Sequence, residues 1–135
     1  MLERAPERKV SDTLDAMNTA LAAGDTARVA SLFLDDSYWR DLVAFTWNIK
    51  TVEGPRAIKE MLDSQLKAIR PANFQLDPKE QVSEADGIAE GWITFETEVA
   101  RGYGHIRLKG DRIWTLLTTM AELKGHEEKA GFTRP

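Results

Sequence analysis

The hydrophobic period of this chain changes character at Asn73, and that change limits the folds open to it. Before Asn73, three stretches carry apolar residues three and four positions apart, the spacing of one helix face. Val10, Leu14, Met17 and Leu21 form the first series, with Ser11 or Asp12 placed to cap its start and Gly24 to end it. Asp25 is placed to cap a second, short helix carrying Val29, Leu32 and Phe33. Gly54-Pro55 opens a third, because proline is tolerated at the first helical position. Ile58, Met61, Leu62, Leu66 and Ile69 form its inner side, and Pro71 stops it.

Beyond Asn73 the period is two. "NFQL", "EQVSE", "IAEGWITFETEVA", "HIRLKG" and "RIWTLLTTMAEL" read as strands, with "EADG" and "KGD" as hairpin turns. In the long strand Ala89, Gly91, Ile93, Phe95, Thr97 and Val99 share one face; Glu90, Trp92, Thr94, Glu96 and Glu98 share the other. The last strand is different. Ile113, Thr115, Leu117 and Thr119 alternate with Trp114, Leu116, Thr118 and Met120, so neither face is charged before Glu122. A strand apolar on both faces needs cover on both sides. Three helices cover one. The other, extended by Trp92 and Trp114, calls for a partner, and a homodimer through the open sheet face is the expected one. Leu116→Glu tells the sides apart: it breaks the assembly if Leu116 faces out and unfolds the chain if it faces in. Helices first and strands after give an α+β plan. Three N-terminal helices are expected to pack on a curved, mostly antiparallel sheet.

The 135 residues suit one domain, 1–124, followed by a polar tail or linker, 125–135. A net charge of −4 argues against a nucleic-acid surface, which works by neutralising phosphates. There is no cysteine, so disulfides and thiolate metal sites are excluded. The charged opening "MLERAPERKVSD" has no apolar core of a leader, and no run approaches the roughly 20 apolar residues of a membrane span. A cytoplasmic protein without membrane contact is expected.

"DDSYWRDLVAFTWNIKTVEG", residues 35–54, is the densest stretch. Tyr38, Trp39, Phe45 and Trp47 read as core and as the wall of a pocket for a small hydrophobic ligand, with Asp41 as the acid in that wall. Desolvation makes a carboxylate a better base, as proton abstraction needs. The other reading pairs Asp41 with Arg40 or Arg112, or leaves it in water at a strand end. "GYGHIR", residues 102–107, begins like a dinucleotide fingerprint. Arg107 replaces its third glycine and a strand follows instead of a helix, so the two glycines read as a tight turn between strands. His105 and His126 lack a third ligand in register, so no metal site is expected. Glu96 and Glu98 read as an exposed strand face.

"ALAAGDTARVASLFLDDSYWRD" and "VEGPRAIKEML" resemble the opening of the nuclear transport factor 2-like superfamily, which includes SnoaL-type polyketide cyclases and ketosteroid isomerase. The resemblance implies a cone-shaped fold with a pocket. It puts Asp41 at the position of the isomerase's proton-abstracting aspartate. Met17 stands where the isomerase has its oxyanion-holding tyrosine, and the isomerase's second acid has no counterpart in 103–108. Tyr103 and His105 are the donors left to replace it.

A narrower resemblance rests on "WRDLVAFTW", "GHIRL" and "RIWTLLTTMAELKGHEEKAGFTRP". These are similar to the N-terminal domain of bacterial and fungal flavin-containing monooxygenases. That resemblance implies an accessory ligand-pocket or dimerisation domain without flavin of its own. FAD and NADPH would belong to a covalently linked flavin domain downstream. The alternative is a stand-alone cyclase or isomerase using Asp41 as general base.

Overall fold

The structure is a computed structural model describing residues 5–42 and 49–123. Helices α1 (Pro6–Ala22), α2 (Thr26–Ser31) and α3 (Gly54–Ile69) pack against a curved sheet of seven strands. The strands are β1 (Phe33–Leu42), β2 (Ile49–Glu53), β3 (Ala72–Leu76), β4 (Ser83–Ala85), β5 (Ile88–Glu96), β6 (Ala100–Lys109) and β7 (Arg112–Leu123). Their order is β2-β1-β7-β6-β5-β3, with β4 beside β5. Every pair is antiparallel except β1 with β7, which the long connection through α3 makes parallel. The α+β plan holds.

The helix stops follow the expected chemistry. Gly24 takes φ +70° after α1, and the Asp25 carboxylate accepts from the Arg28 N–H at 3.0 Å to cap α2. The start of α1 is earlier than Ser11. Pro6 occupies the first turn, and the Arg8 and Lys9 N–H groups both bond the Ala5 carbonyl. Lys9 then reaches Glu84 on β4 at 3.1 Å, tying the added turn to the sheet. Asn18 docks α1 on edge strand β3. Its amide donates to the Phe74 carbonyl and accepts from the Phe74 N–H, both at 2.8 Å, so one side chain stands in for a missing neighbour strand.

Strands β1 and β2 precede Asn73, and Phe33, expected on the second helix, opens β1 because α2 ends at Ser31. Two later strand readings are also corrected. "IAEGWITFETEVA" ends at Glu96, where Thr97 turns the chain back: its N–H bonds the Ala100 carbonyl at 2.8 Å. Val99 is therefore exposed in a turn instead of sharing the Ala89 face. Strand β6 consequently begins at Ala100, and Gly102 and Gly104 lie inside it, not in a turn. They are glycines because the sheet presses closely there. A Cβ on Gly104 would collide with the Leu117 carbonyl oxygen, and one on Gly102 with the Phe95 ring.

The alternation along β7 is broken by a bulge. Leu108 pairs with Ile113 but Arg107 pairs with Thr115, so Trp114 is extra and the parity flips. Ile113, Leu116 and Thr118 are buried on the helix side, and Trp114, Thr115, Leu117 and Thr119 fall on the outer side, half-buried. Trp114 and Leu116 thus lie on opposite faces. Leu116 points in. The core between helices and sheet centres on Trp39, stacked on Phe33 at 5.8 Å, and on Phe74, stacked on Phe95 at 4.8 Å.

Candidate functional site

The residues singled out by sequence fall on two faces of the sheet. Along β1, Ser37, Trp39 and Asp41 are buried while Tyr38 and Arg40 are exposed, the alternation of a strand covered on one side. Asp41 is 0% exposed. The Trp39 indole N–H donates to the Thr118 hydroxyl at 2.9 Å, and that hydroxyl donates to Asp41 Oδ1 at 2.7 Å. Thr118 lies opposite Asp41 in the β1–β7 register, so the chain of bonds staples the one parallel pair of the sheet from within. Arg40 points to the other face, bonding the Thr51 hydroxyl at 3.3 Å. Phe45 and Trp47 lie outside the described residues, as does His126.

The outer face is organised by register. One row across the strands reads Thr51, Arg40, Leu117, His105, Trp92; the next reads Tyr38, Thr115, Arg107, Glu90. In both rows β7 contributes a shorter side chain than its neighbours, which leaves a groove of about 570 Å³ with β7 as its floor. Tyr38 and Arg40 form one wall; Trp92, His105, Arg107 and Glu90 form the other.

That second wall is a connected set. The His105 ring stands edge-on to Trp92 at 4.6 Å, and Trp92 stacks on Tyr103 at 5.7 Å. His105 Nε2 lies 3.1 Å from Glu90 Oε1, and Arg107 Nε lies 3.8 Å from the same oxygen. Burial pushes the His105 imidazole below its ordinary value; the Glu90 carboxylate opposes this and the Arg107 charge adds to it. Tyr103 is pushed up by burial and by the charges of Asp77 and Glu80. Neither Tyr103 nor His105 shares a face with Asp41. They are not its oxyanion donors.

Among the described residues no group of three or more His, Asp or Glu is placed to hold a metal, and no helix is long and apolar enough to cross a membrane. Gly102 and Gly104 are used against Phe95 and β7, inside a strand, so they do not form a phosphate-binding loop before a helix. This glycine pair does not fit a dinucleotide. Arg40, Thr51, Glu90, Arg107 and Leu117 were not read from the sequence as groove residues, since only the cross-strand register sets them around one groove.

No protein-family model matches the sequence. A comparison with curated proteins likewise finds no match. Solved structures do match in shape. A Nostoc punctiforme domain of unknown function with a cystatin-like fold superposes with TM-score 0.68 at 17% identity, over 89% of this chain and 80% of its own. A nuclear transport factor 2-like protein with a cystatin-like fold from Novosphingobium aromaticivorans gives 0.63 at 16% identity, over 95% and 88%. A proposed isomerase from Bacillus subtilis gives 0.59 at 18% identity, over 87% and 90%. At these identities the likeness is one of fold. The three helices on a curved, mostly antiparallel sheet are the nuclear transport factor 2-like fold.

Proposed function

We propose that this chain is a non-catalytic binding and assembly module that works through the open face of its sheet. The observation that carries this is the state of Asp41: wholly buried, and joined through Thr118 to Trp39. A carboxylate engaged in strand-to-strand bonding serves the fold. The open face supplies what the interior lacks, with Tyr38 and Trp92 exposed by 37% and 39% beside charged groups. Large exposed aromatics concentrated on one face mark a contact surface. A second copy across a two-fold axis is the occupant this reading favours. The sequence resemblance of residues 39–47, 104–108 and 112–135 further supports an accessory role ahead of a flavin-binding domain. A reading frame continuing past Pro135 into a dinucleotide-binding motif tests that part.

A second reading makes Asp41 the general base of a cyclase or isomerase. It is favoured by the place of Asp41 on the helix side of the sheet and by the proposed isomerase among the fold neighbours. Asp41→Asn discriminates. The binding-module reading expects no turnover of a β,γ-unsaturated ketone by the wild type. It also expects the variant to lose about 1–3 kcal/mol of stability in urea, the cost of a disturbed buried hydrogen bond. Turnover by the wild type that Asp41→Asn abolishes would transfer the role to the base.

A further inference from the structure

We infer that the groove over β7 is a binding site for a flat aromatic monocarboxylate, its ring against Trp92 and its carboxylate held between Arg40 and Arg107. The inference rests on the open face being the working surface, but binding does not require pairing.

The groove has the dimensions of a site. Neighbouring strands are about 4.8 Å apart, so the β1 wall stands roughly 10 Å from His105 and Arg107 on β6 and roughly 14 Å from Glu90 and Trp92 on β5. The floor is Thr115 and Leu117, short enough to leave about 570 Å³ above them. That volume lies in the range of small-ligand pockets.

Its chemistry selects the ligand. The chain as a whole carries a net −4, yet the groove holds two guanidinium groups and a single carboxylate. Glu90 divides its attention between His105 at 3.1 Å and Arg107 at 3.8 Å, so it does not saturate the arginine. Arg107 Nε is buried and makes no hydrogen bond among the described residues, while its guanidinium lies over the Trp114 ring at 5.9 Å, which holds it in place without neutralising it. Arg40 makes a 3.3 Å contact with a neutral hydroxyl, which leaves its charge uncompensated by that bond. Planar guanidinium groups suit carboxylates, and an arginine without its anion is poorly satisfied. Trp92 adds an aromatic surface that is already ordered by Tyr103 and His105, so little entropy is lost when a ring packs on it. A single surplus positive charge favours a monocarboxylate over a multiply charged phosphate.

Calorimetric titration of the full chain with 2-naphthoate, and with neutral 2-naphthamide as its near-isostere, tests this. The expected result is saturable one-to-one binding of naphthoate, with naphthamide at least tenfold weaker. Arg40→Gln and Arg107→Gln should each weaken naphthoate about tenfold or more, while Lys67→Gln on the outer side of α3 leaves it unchanged. No saturable binding, equal affinity for the amide, or indifference to both arginine variants would overturn the site. Sedimentation of the same samples keeps the two proposals apart. Naphthoate bound by a monomer upholds the groove while pairing fails; a dimer that binds no naphthoate sinks the groove while pairing stands.

Discussion

Asp41 on β1 and His105 on β6 are separated by one strand, yet they face opposite sides of the sheet. The alternation within "YWRD" carries this information, because Trp39 and Asp41 must share a face if Tyr38 and Arg40 share the other. Which of those faces is the interior was not legible from the residues alone, since Trp and Tyr suit either side. Nor was the hydroxyl of Thr118 legible as the partner of Asp41. That pairing depends on the parallel register of two strands 77 positions apart. His105 offers a direct check at this scale. Its burial outweighs the carboxylate of Glu90, so the imidazole should titrate below its ordinary value of 6.5. The unfolded chain then binds the proton more tightly than the folded one. Stability should therefore fall as pH drops through about 6.5, and this loss should level off once folded His105 is itself protonated. An NMR titration of the His105 ring should give a midpoint under 6.5. A midpoint above that would show that Glu90 dominates.

Most elements were legible in type and less so in extent; β1 and β2 were not, since their aromatic run was read as core and pocket wall with no period assigned. Caps and turns with a specific backbone requirement were read where they stand: Asp25, Gly24, the "DG" turn with Asp86 at φ 55° and Gly87 at φ 79°, and Gly110 at φ 68°. Missed were the events that come from pairing. The Thr97 turn hides in an unbroken alternation, and the Trp114 bulge leaves no local trace in "RIWTLL". Gly102 and Gly104 resembled a turn because glycine usually signals one; they are there because β6 lies so close to Phe95 and to the β7 backbone. Gly104→Ala should therefore cost about 2 kcal/mol or more, since the added carbon meets backbone that a rotamer change cannot move. Urea denaturation of Gly104→Ala measures it. A loss under about 0.5 kcal/mol, the scale of an ordinary surface change, would show that β6 and β7 can part there without penalty.

For the whole molecule, the switch from helical to strand period was enough to predict an α+β plan with one covered face. Coverage of the other face was inferred from a strand apolar on both sides, and here the detail shifts. Leu116, 1% exposed, belongs to the interior, so Leu116→Glu is expected to unfold the chain. The outer set is Trp114, Thr115, Leu117 and Thr119, joined by Tyr38 and Trp92. This surface is mixed, aromatic and charged, which is the make-up of an interface that also tolerates water. Trp92 is the variant position of choice because its side chain is already 39% exposed and its loss leaves the core intact. Light scattering coupled to size exclusion, run on wild type and Trp92→Glu across a range of concentrations, therefore tests the central claim that the open sheet face is the working surface. A wild-type mass of twice the 15.2 kDa chain, with a folded variant at the single-chain mass, is the predicted result. A wild type that stays at the single-chain mass at high concentration, or a Trp92→Glu variant that pairs as well as the wild type, would contradict it.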